Sequence, residues 1–246
     1  MNIAEASWVD IEERVRHNPC ALVPVGAVEV YGPHLPQGTD GIVAAAVCER
    51  AAARAGCLAA PLVPVGWSEG LASFPGTLSV RPDVLRGYCD GLVTSLFPWG
   101  VRSILFVNGH LGNVPCLQEL TLTYDRPDEG RRVAQIDLWR FIQPFTADLL
   151  RSPSWKFGHA GEAMTAAMLY LRPELVRMER AGRFLPDSAG PPLGVHVQRR
   201  YRDQAPEGFL GDATLGSAEV GREIVHRCVE HLLGLIAREF GARPPA

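Results

Sequence analysis

Glu29, Tyr31, His34 and Asp40 stand in one short stretch, GAVEVYGPHLPQGTD (residues 26–40), among glycine, proline and threonine. Carboxylates and imidazoles crowded into a stiff loop can ligate a divalent ion or pass protons. Two further segments carry the same residue types. VNGHLGN (107–113) presents His110 from a glycine turn, and WKFGHAGEAMT (155–165) presents His159 and Glu162 where a helix begins. A fourth, VGWSEGLASFPGTLSV (65–80), adds Ser68 and Glu69 ahead of an FPGT turn. Singly, each has a structural reading: a turn cap, a helix cap for Asp40, a helix-start charge for His159 and Glu162. Together they offer nitrogen and oxygen donors without cysteine. That set suits Zn²⁺, Mn²⁺ or Fe²⁺ with positions left open for water and substrate.

The elements that must position these groups alternate regularly. Residues 21–26, 57–66, 101–110 and 131–139 read as strands, and 40–56, 80–100, 114–124, 161–171 and 217–240 as helices. Such alternation predicts an α/β fold with a mostly parallel sheet covered on both faces. Ligands of such sheets gather beyond the carboxyl ends of the strands, where the four segments fall. Residues 179–216, rich in Pro, Gly and Arg, break the rhythm and read as a functional or interface loop. No repeat or low-complexity tract interrupts the chain, so a single domain over residues 1–246 is expected.

Composition narrows the classes. The 246 residues are 47% hydrophobic and 21% charged with a net charge of −3, which offers no electrostatic attraction for nucleic acid. No apolar run approaches the roughly 20 residues of a membrane span. The N-terminus alternates acidic and basic residues, unlike a secretory signal. Six scattered cysteines lack any C-x-x-C pair and read as reduced, buried thiols of a cytoplasmic protein.

The chain resembles the creatininase family, the creatinine amidohydrolase-like metal-dependent hydrolases. The family loop G-S-x-E-Q-H-G-P-H-L-P-x-x-T-D matches GAVEVYGPHLPQGTD, and N-G-H-G-G-N matches NGHLGN. F-P-G-T recurs at 74–77 and H-A-G-E at 159–162. GFLGDATLGSAEVG (208–221) follows the late G-x-x-G-D-P-x-x-A pattern, with Ala213 at the proline. The resemblance implies a three-layer αβα sandwich whose metal site, often binuclear, cleaves amide-type C–N bonds. It assigns Glu29, Asp40 and His110 to one metal, with Asp40 bridging, and His159 as acid/base beside metal-bound water.

Departures from the pattern limit what carries over. Tyr31 falls on the histidine of E-Q-H, a ligand of the second metal. Gly112 stands where creatininases proper have a glutamate, and Met164 where H-A-G-E-x-E-T-S has its second one. The expectation is therefore one secure metal and a second site that is weakened, altered or absent, with Glu162 or His34 as candidates to fill it. Tyr31 is expected either to bind the oxyanion or the bound water, or to pack into a lost site. Trp155, Lys156 and Glu69 are candidate substrate contacts. Arg199, Arg200, Tyr201 and Arg202 are candidates for an anionic substrate, a neighbouring subunit or a solvated face.

The expected activity is hydrolysis of a cyclic amide, formamide or short peptide-like amide, with creatinine itself disfavoured. A carbocyclic ketone (C–C) hydrolase and a metal-poor ligand-binding protein are the alternatives. The family resemblance further implies a homo-oligomer, usually a hexamer.

Overall fold

The structure, a computed structural model, describes residues 1–186, 197 and 200–241. Helix α1 (Trp8–His17) opens under a reciprocal cap between Ser7 and Asp10. Strand β1 (Cys20–Val25) is buried throughout, and α2 (Thr39–Ala55) stops at Gly56, whose φ of 69° is left-handed. Strand β2 is only Leu58–Ala59, far shorter than the expected 57–66. Pro61 and Pro64 carry no N–H to continue a ladder, and one isolated bridge from Val63 to Val25 is what remains.

Helix α3 (Pro82–Leu96), strand β3 (Ser103–Asn108), helix α4 (Val114–Tyr124) and strand β4 (Arg132–Asp137) follow. The sheet order is β2-β1-β3-β4, parallel at every pairing. Its register places Val25 beside Asn108 and Asn108 beside Asp137, so the carboxyl ends of β1, β3 and β4 share one row. Short helices α5 (Leu138–Phe141) and α6 (Gln143–Thr146) leave that edge, and α7 (Glu162–Leu171) returns against the sheet.

Side-chain alternation divides the core in two. Leu22, Leu105 and Val107 pack with α2, α7 and the C-terminal helix α9 (Ala218–Phe240). Val23, Ile104 and Phe106 pack with α3 and α4 on the other face. The result is the expected α/β sandwich, with both faces of a parallel sheet covered by helices. Each fully buried Leu or Phe in these layers contributes roughly 1.5–3 kcal/mol.

The segment expected to break the rhythm pairs β5 (Arg183–Phe184) with β6 (Gly211–Asp212) and carries α8 (Tyr201–Gln204). Arg199 lies outside the described residues; Arg202 stacks 4.4 Å over the Phe74 ring. Among the described residues, no helix is long and apolar enough to cross a membrane.

Candidate metal centre

From β1 the chain moves through α2 to β2 on one side, then crosses back to β3 on the other. The crevice beyond the carboxyl ends of β1 and β3 is thus a topological switch point, where open α/β sheets bind their ligands. Glu29 enters it from the loop after β1, pinned by a 3.0 Å hydrogen bond from its own N–H to the Gln37 carbonyl. Asp40 enters from the first turn of α2. The N-cap of that helix is Gly38, with no side-chain cap, so Asp40 does not serve as the cap its position suggested.

His110 comes from the turn after β3. Asn108 clamps that turn, its Nδ2 donating to the His110 carbonyl at 2.7 Å and its Oδ1 accepting from the His110 N–H at 3.2 Å. Asn113 ties the turn to β1 through the Gly26 carbonyl at 3.0 Å. Gly109 is required by contact, because a Cβ there would lie 2.6 Å from the Asp40 carbonyl oxygen.

Glu29, Asp40 and His110 are all buried, and their ligand atoms lie within 4.8 Å of one another. His110 Nδ1 is 3.0 Å from Glu29 Oε2 and 3.7 Å from Asp40 Oδ2. Its Nε2 lies 3.0 Å from the Trp67 carbonyl, which can only accept, so Nε2 carries a proton and Nδ1 faces the carboxylates. Ser68 donates to Glu29 Oε2 at 2.6 Å.

Opposing forces set the charges. Burial pushes the Glu29 carboxyl up, but the adjacent His110 and His159 outweigh it and hold the group below its ordinary range. Burial and the Glu29 charge push Asp40 up to about 7, against the pull of His110 and two hydrogen bonds. Burial works against charge on His110, yet the two carboxylates raise it to about 9. Two carboxylates are therefore forced together in a buried site and held by one proton-bearing imidazole.

His159 lies across the cavity. Its Nε2 donates to the Val30 carbonyl at 2.5 Å, leaving Nδ1 with a lone pair 3.8 Å from Glu29 Oε1. Burial holds its pKa below the ordinary value. Trp155 and Ala160 bracket this segment with a φ of 53° each, a left-handed backbone that costs residues other than glycine roughly 1–3 kcal/mol apiece. The Tyr31 and His159 rings pack with centroids 4.3 Å apart. Tyr31 donates its phenol proton to Asp40 Oδ1, and Trp139 Nε1 donates to the same oxygen at 3.0 Å. Burial, together with the Asp40 and Glu29 charges, pushes the Tyr31 phenol well above its usual range, so it stays a donor.

These groups line a cavity of about 220 Å³. Leu71, Leu111, Phe157, Trp139, Met164 and Tyr201 form its walls, and Arg140 and Gln143 also line it. Among the described residues the buried Tyr201 hydroxyl has no hydrogen-bond partner, and its ring is edge-on to His159 at 5.3 Å. A larger groove of about 470 Å³ lies between α2 and α9, remote from this cluster.

Other sequence candidates stand outside the cluster. Both Glu162 oxygens accept from the Arg151 N–H at 3.0 Å, and Oε2 also accepts from the Ser152 N–H at 2.7 Å, so this carboxylate ties down a loop. His34 Nε2 bonds Thr165 Oγ1 at 2.9 Å, and burial lowers its pKa to about 4. Lys156 Nζ is held by the Ala147 carbonyl at 3.1 Å, and Trp155 Nε1 by the Pro186 carbonyl at 3.1 Å. Glu69 is exposed beside the FPGT loop, and none of these last three lines the cavity.

The structure brings in Ser68 and Trp139 instead. Ser68 belongs to the fourth of the sequence segments with ligand-type residues, 65–80. Trp139 had one signal, its place just past the carboxyl end of β4.

The donor set fits a divalent ion. Asp40 Oδ2 is buried and has no hydrogen-bond partner among the described residues, an expensive arrangement for a carboxylate oxygen unless a cation takes it. Two carboxylates and an imidazole nitrogen whose proton a cation would displace, on a parallel α/β sheet, fit a metal centre of the hydrolase type.

The family profile described as creatinine amidohydrolase matches residues 4–236, and the chain belongs to the creatininase family. The creatinine amidohydrolase of Pseudomonas putida is 32% identical, covering 97% of this chain and 96% of its own. The mycofactocin precursor peptide peptidase of Mycobacterium ulcerans (strain Agy99) is 32% identical, covering 89% of this chain and 85% of its own. Two solved creatininases, one described as Mn and one as Zn-Zn type, superpose with a TM-score of 0.81. Each is 30% identical and covers 97% of this chain and 98% of its own.

Proposed function

We propose that this chain is a metal-dependent hydrolase of C–N bonds, acting on a small or peptide-like amide. The observation that carries the reading is the buried Glu29–Asp40–His110 cluster, with its unpartnered Asp40 oxygen, facing the same cavity as His159. Glu29, Asp40 and His110 would hold the ion. A divalent ion there polarises a scissile carbonyl and lowers the pKa of water from ~15.7 toward ~7.

The remaining chemistry belongs to the chain. Ser68 and the Trp67 carbonyl fix the Glu29 carboxylate and the His110 ring, so the ligands keep one orientation. His159 is the proton carrier. With Nε2–H committed to Val30, its Nδ1 takes a proton from the attacking water and returns it to the leaving nitrogen. The Tyr201 hydroxyl, buried without a partner, donates to a substrate oxygen. Phe157, Leu111 and Trp139 offer apolar walls to a flat amide or a side chain, and Arg140 and Gln143 can hold a substrate carboxylate or carbonyl.

Relatives acting on creatinine and on a precursor peptide favour C–N over carbocyclic C–C cleavage. All six cysteines are free and buried, which accords with a cytoplasmic protein. Trp8 and Leu122, 75% and 78% exposed, are apolar surface that a homo-oligomer would cover. Light scattering on the purified chain tests that assembly.

The activity is tested with a panel of lactams, formamides and peptide amides, before and after chelation and reloading with Zn²⁺ or Mn²⁺. Chelator-sensitive release of amine, restored by metal, is expected. Hydrolysis that survives complete metal removal would refute the reading.

A further inference from the structure

A carboxylate that bridges two ions through both its oxygens offers one to each, and Asp40 has only one oxygen to offer here. Its Oδ1 has two acceptor positions, and both are filled, one by the Tyr31 hydroxyl and one by Trp139 Nε1–H at 3.0 Å. Only Oδ2 is left, and it is the oxygen that lies toward His110, at 3.7 Å from Nδ1.

Among the described residues, the two positions that could complete a second set of donors supply none. Met164 lines the cavity with a thioether whose sulfur accepts from the Ala160 N–H at 3.0 Å. Gly112 admits no side chain, because a Cβ there would overlap His110 Nε2 and the Trp67 carbonyl oxygen. Among the described residues, Glu29, Asp40 and His110 are the one group of three potential ligands.

Charge counting agrees. As metal ligands, with both carboxylates deprotonated, Glu29 and Asp40 would supply two negative charges, which a single divalent ion cancels. A second divalent ion would leave two uncompensated positive charges in a buried site.

We infer that the centre is mononuclear: it holds one divalent ion through Glu29, His110 and Asp40 Oδ2. The Tyr31 hydroxyl, with Trp139, closes the Asp40 oxygen that a second ion would need. The inference rests on the metal-dependent reading above and departs from the Zn-Zn arrangement of the solved relative. Tyr31 is thus a positioning residue, holding Asp40 by a neutral hydrogen bond where a binuclear centre would use a cation.

The test is metal stoichiometry, which needs no substrate. The purified chain is stripped with chelator, reloaded with excess Zn²⁺ or Mn²⁺, desalted and assayed for metal by mass spectrometry. Electron paramagnetic resonance of the Mn²⁺ form reports whether ions are paired. One ion per chain and an isolated-ion spectrum are expected. Two tightly held ions, or a spin-coupled pair, would overturn the inference while leaving the hydrolase reading intact. No tight ion at all would overturn both, so the two failures are distinguishable. The double variant Tyr31→His with Met164→Glu frees one acceptor position of Oδ1 and adds two donors and a charge, and should rise to two ions per chain. If it folds, as judged by circular dichroism, yet stays at one, the role given to these positions is wrong. If it does not fold, the wild-type stoichiometry decides alone.

Discussion

Glu29 and Glu162 are both buried glutamates, 1% and 0% exposed, yet they meet opposite surroundings. Glu162 faces backbone N–H groups of Arg151 and Ser152, donors that never leave. Beside it on α7, Thr165 donates to the Gly161 carbonyl at 2.8 Å and so accepts from His34 Nε2. Glu29 faces another carboxylate, two imidazoles and a hydroxyl. The first arrangement satisfies a charge permanently and makes a scaffold. The second crowds negative charge around an unpartnered oxygen and is completed by a cation. A buried carboxylate is therefore diagnosed by what opposes it, not by its burial.

The sharpest way to break this contrast is to neutralise each glutamate in turn, beginning with the one expected to matter most. Glu29→Gln should reduce bound metal to background and abolish turnover, read by mass spectrometry and by the amide assay. Retained metal at the wild-type level would remove Glu29 from the ligand set.

His159→Ala comes next. Its expected signature is full metal content with turnover reduced about 10²–10⁴-fold, the usual contribution of a positioned acid/base. Loss of metal in that variant would make His159 a ligand.

The acid limb of stability tests the scaffold side. His34 Nε2 is committed to Thr165, and its Nδ1 is buried without a partner, so a proton added there finds no acceptor. The folded pKa of about 4 lies below the ~6.5 of an unfolded histidine. The unfolded chain therefore takes the proton first. This contribution to stability is complete above pH ~6.5 and is lost as pH falls toward the folded value, at ~1.4 kcal/mol per unit. Between pH 6.5 and 5 the loss from this residue should be about 2 kcal/mol. Urea unfolding at several pH values should show a shallower acid slope in His34→Gln than in the wild type. Equal slopes would show that His34 is not held neutral.

Glu162→Gln should give the smallest change. Metal content stays at the wild-type value, while loss of charge-assisted bonds to the loop costs about 2 kcal/mol. That corresponds to a fall in Tm of roughly 4–8 °C. A variant that loses metal instead would erase the distinction between the two glutamates.

Much of this arrangement is legible from residues alone. Strand–helix alternation predicts the parallel sheet because each apolar run is bounded by its own caps and breakers, as Gly56 and Pro82 show. The Glu29–Asp40 loop and the NGH turn stand out because strand ends collect ligands. The apolar pattern of 57–66 predicts a longer strand than forms, because its two prolines cannot donate to a ladder. Helix Trp8–His17 lies outside the elements that the alternation predicts, because its charged residues outnumber the apolar ones and only Val15 is buried. Trp155, Lys156 and Glu69 were plausible by type, but their neighbours Phe157 and Leu71 line the cavity instead.

Residue types and order by themselves determined the family, the α/β plan, the three residues of the candidate centre and the departures at Tyr31, Gly112 and Met164. Those follow from local pattern and motif spacing. Only tertiary structure decided which polar groups face one another: that Glu162 meets amides and Glu29 meets Asp40, that Trp139 reaches the same oxygen as Tyr31, and that Gly112 has no room for a side chain. The physical reason is that hydrogen-bond saturation and charge balance depend on distances between residues far apart in the chain. Asp40 and Trp139, 99 positions apart, share a 3.0 Å bond that no local pattern encodes.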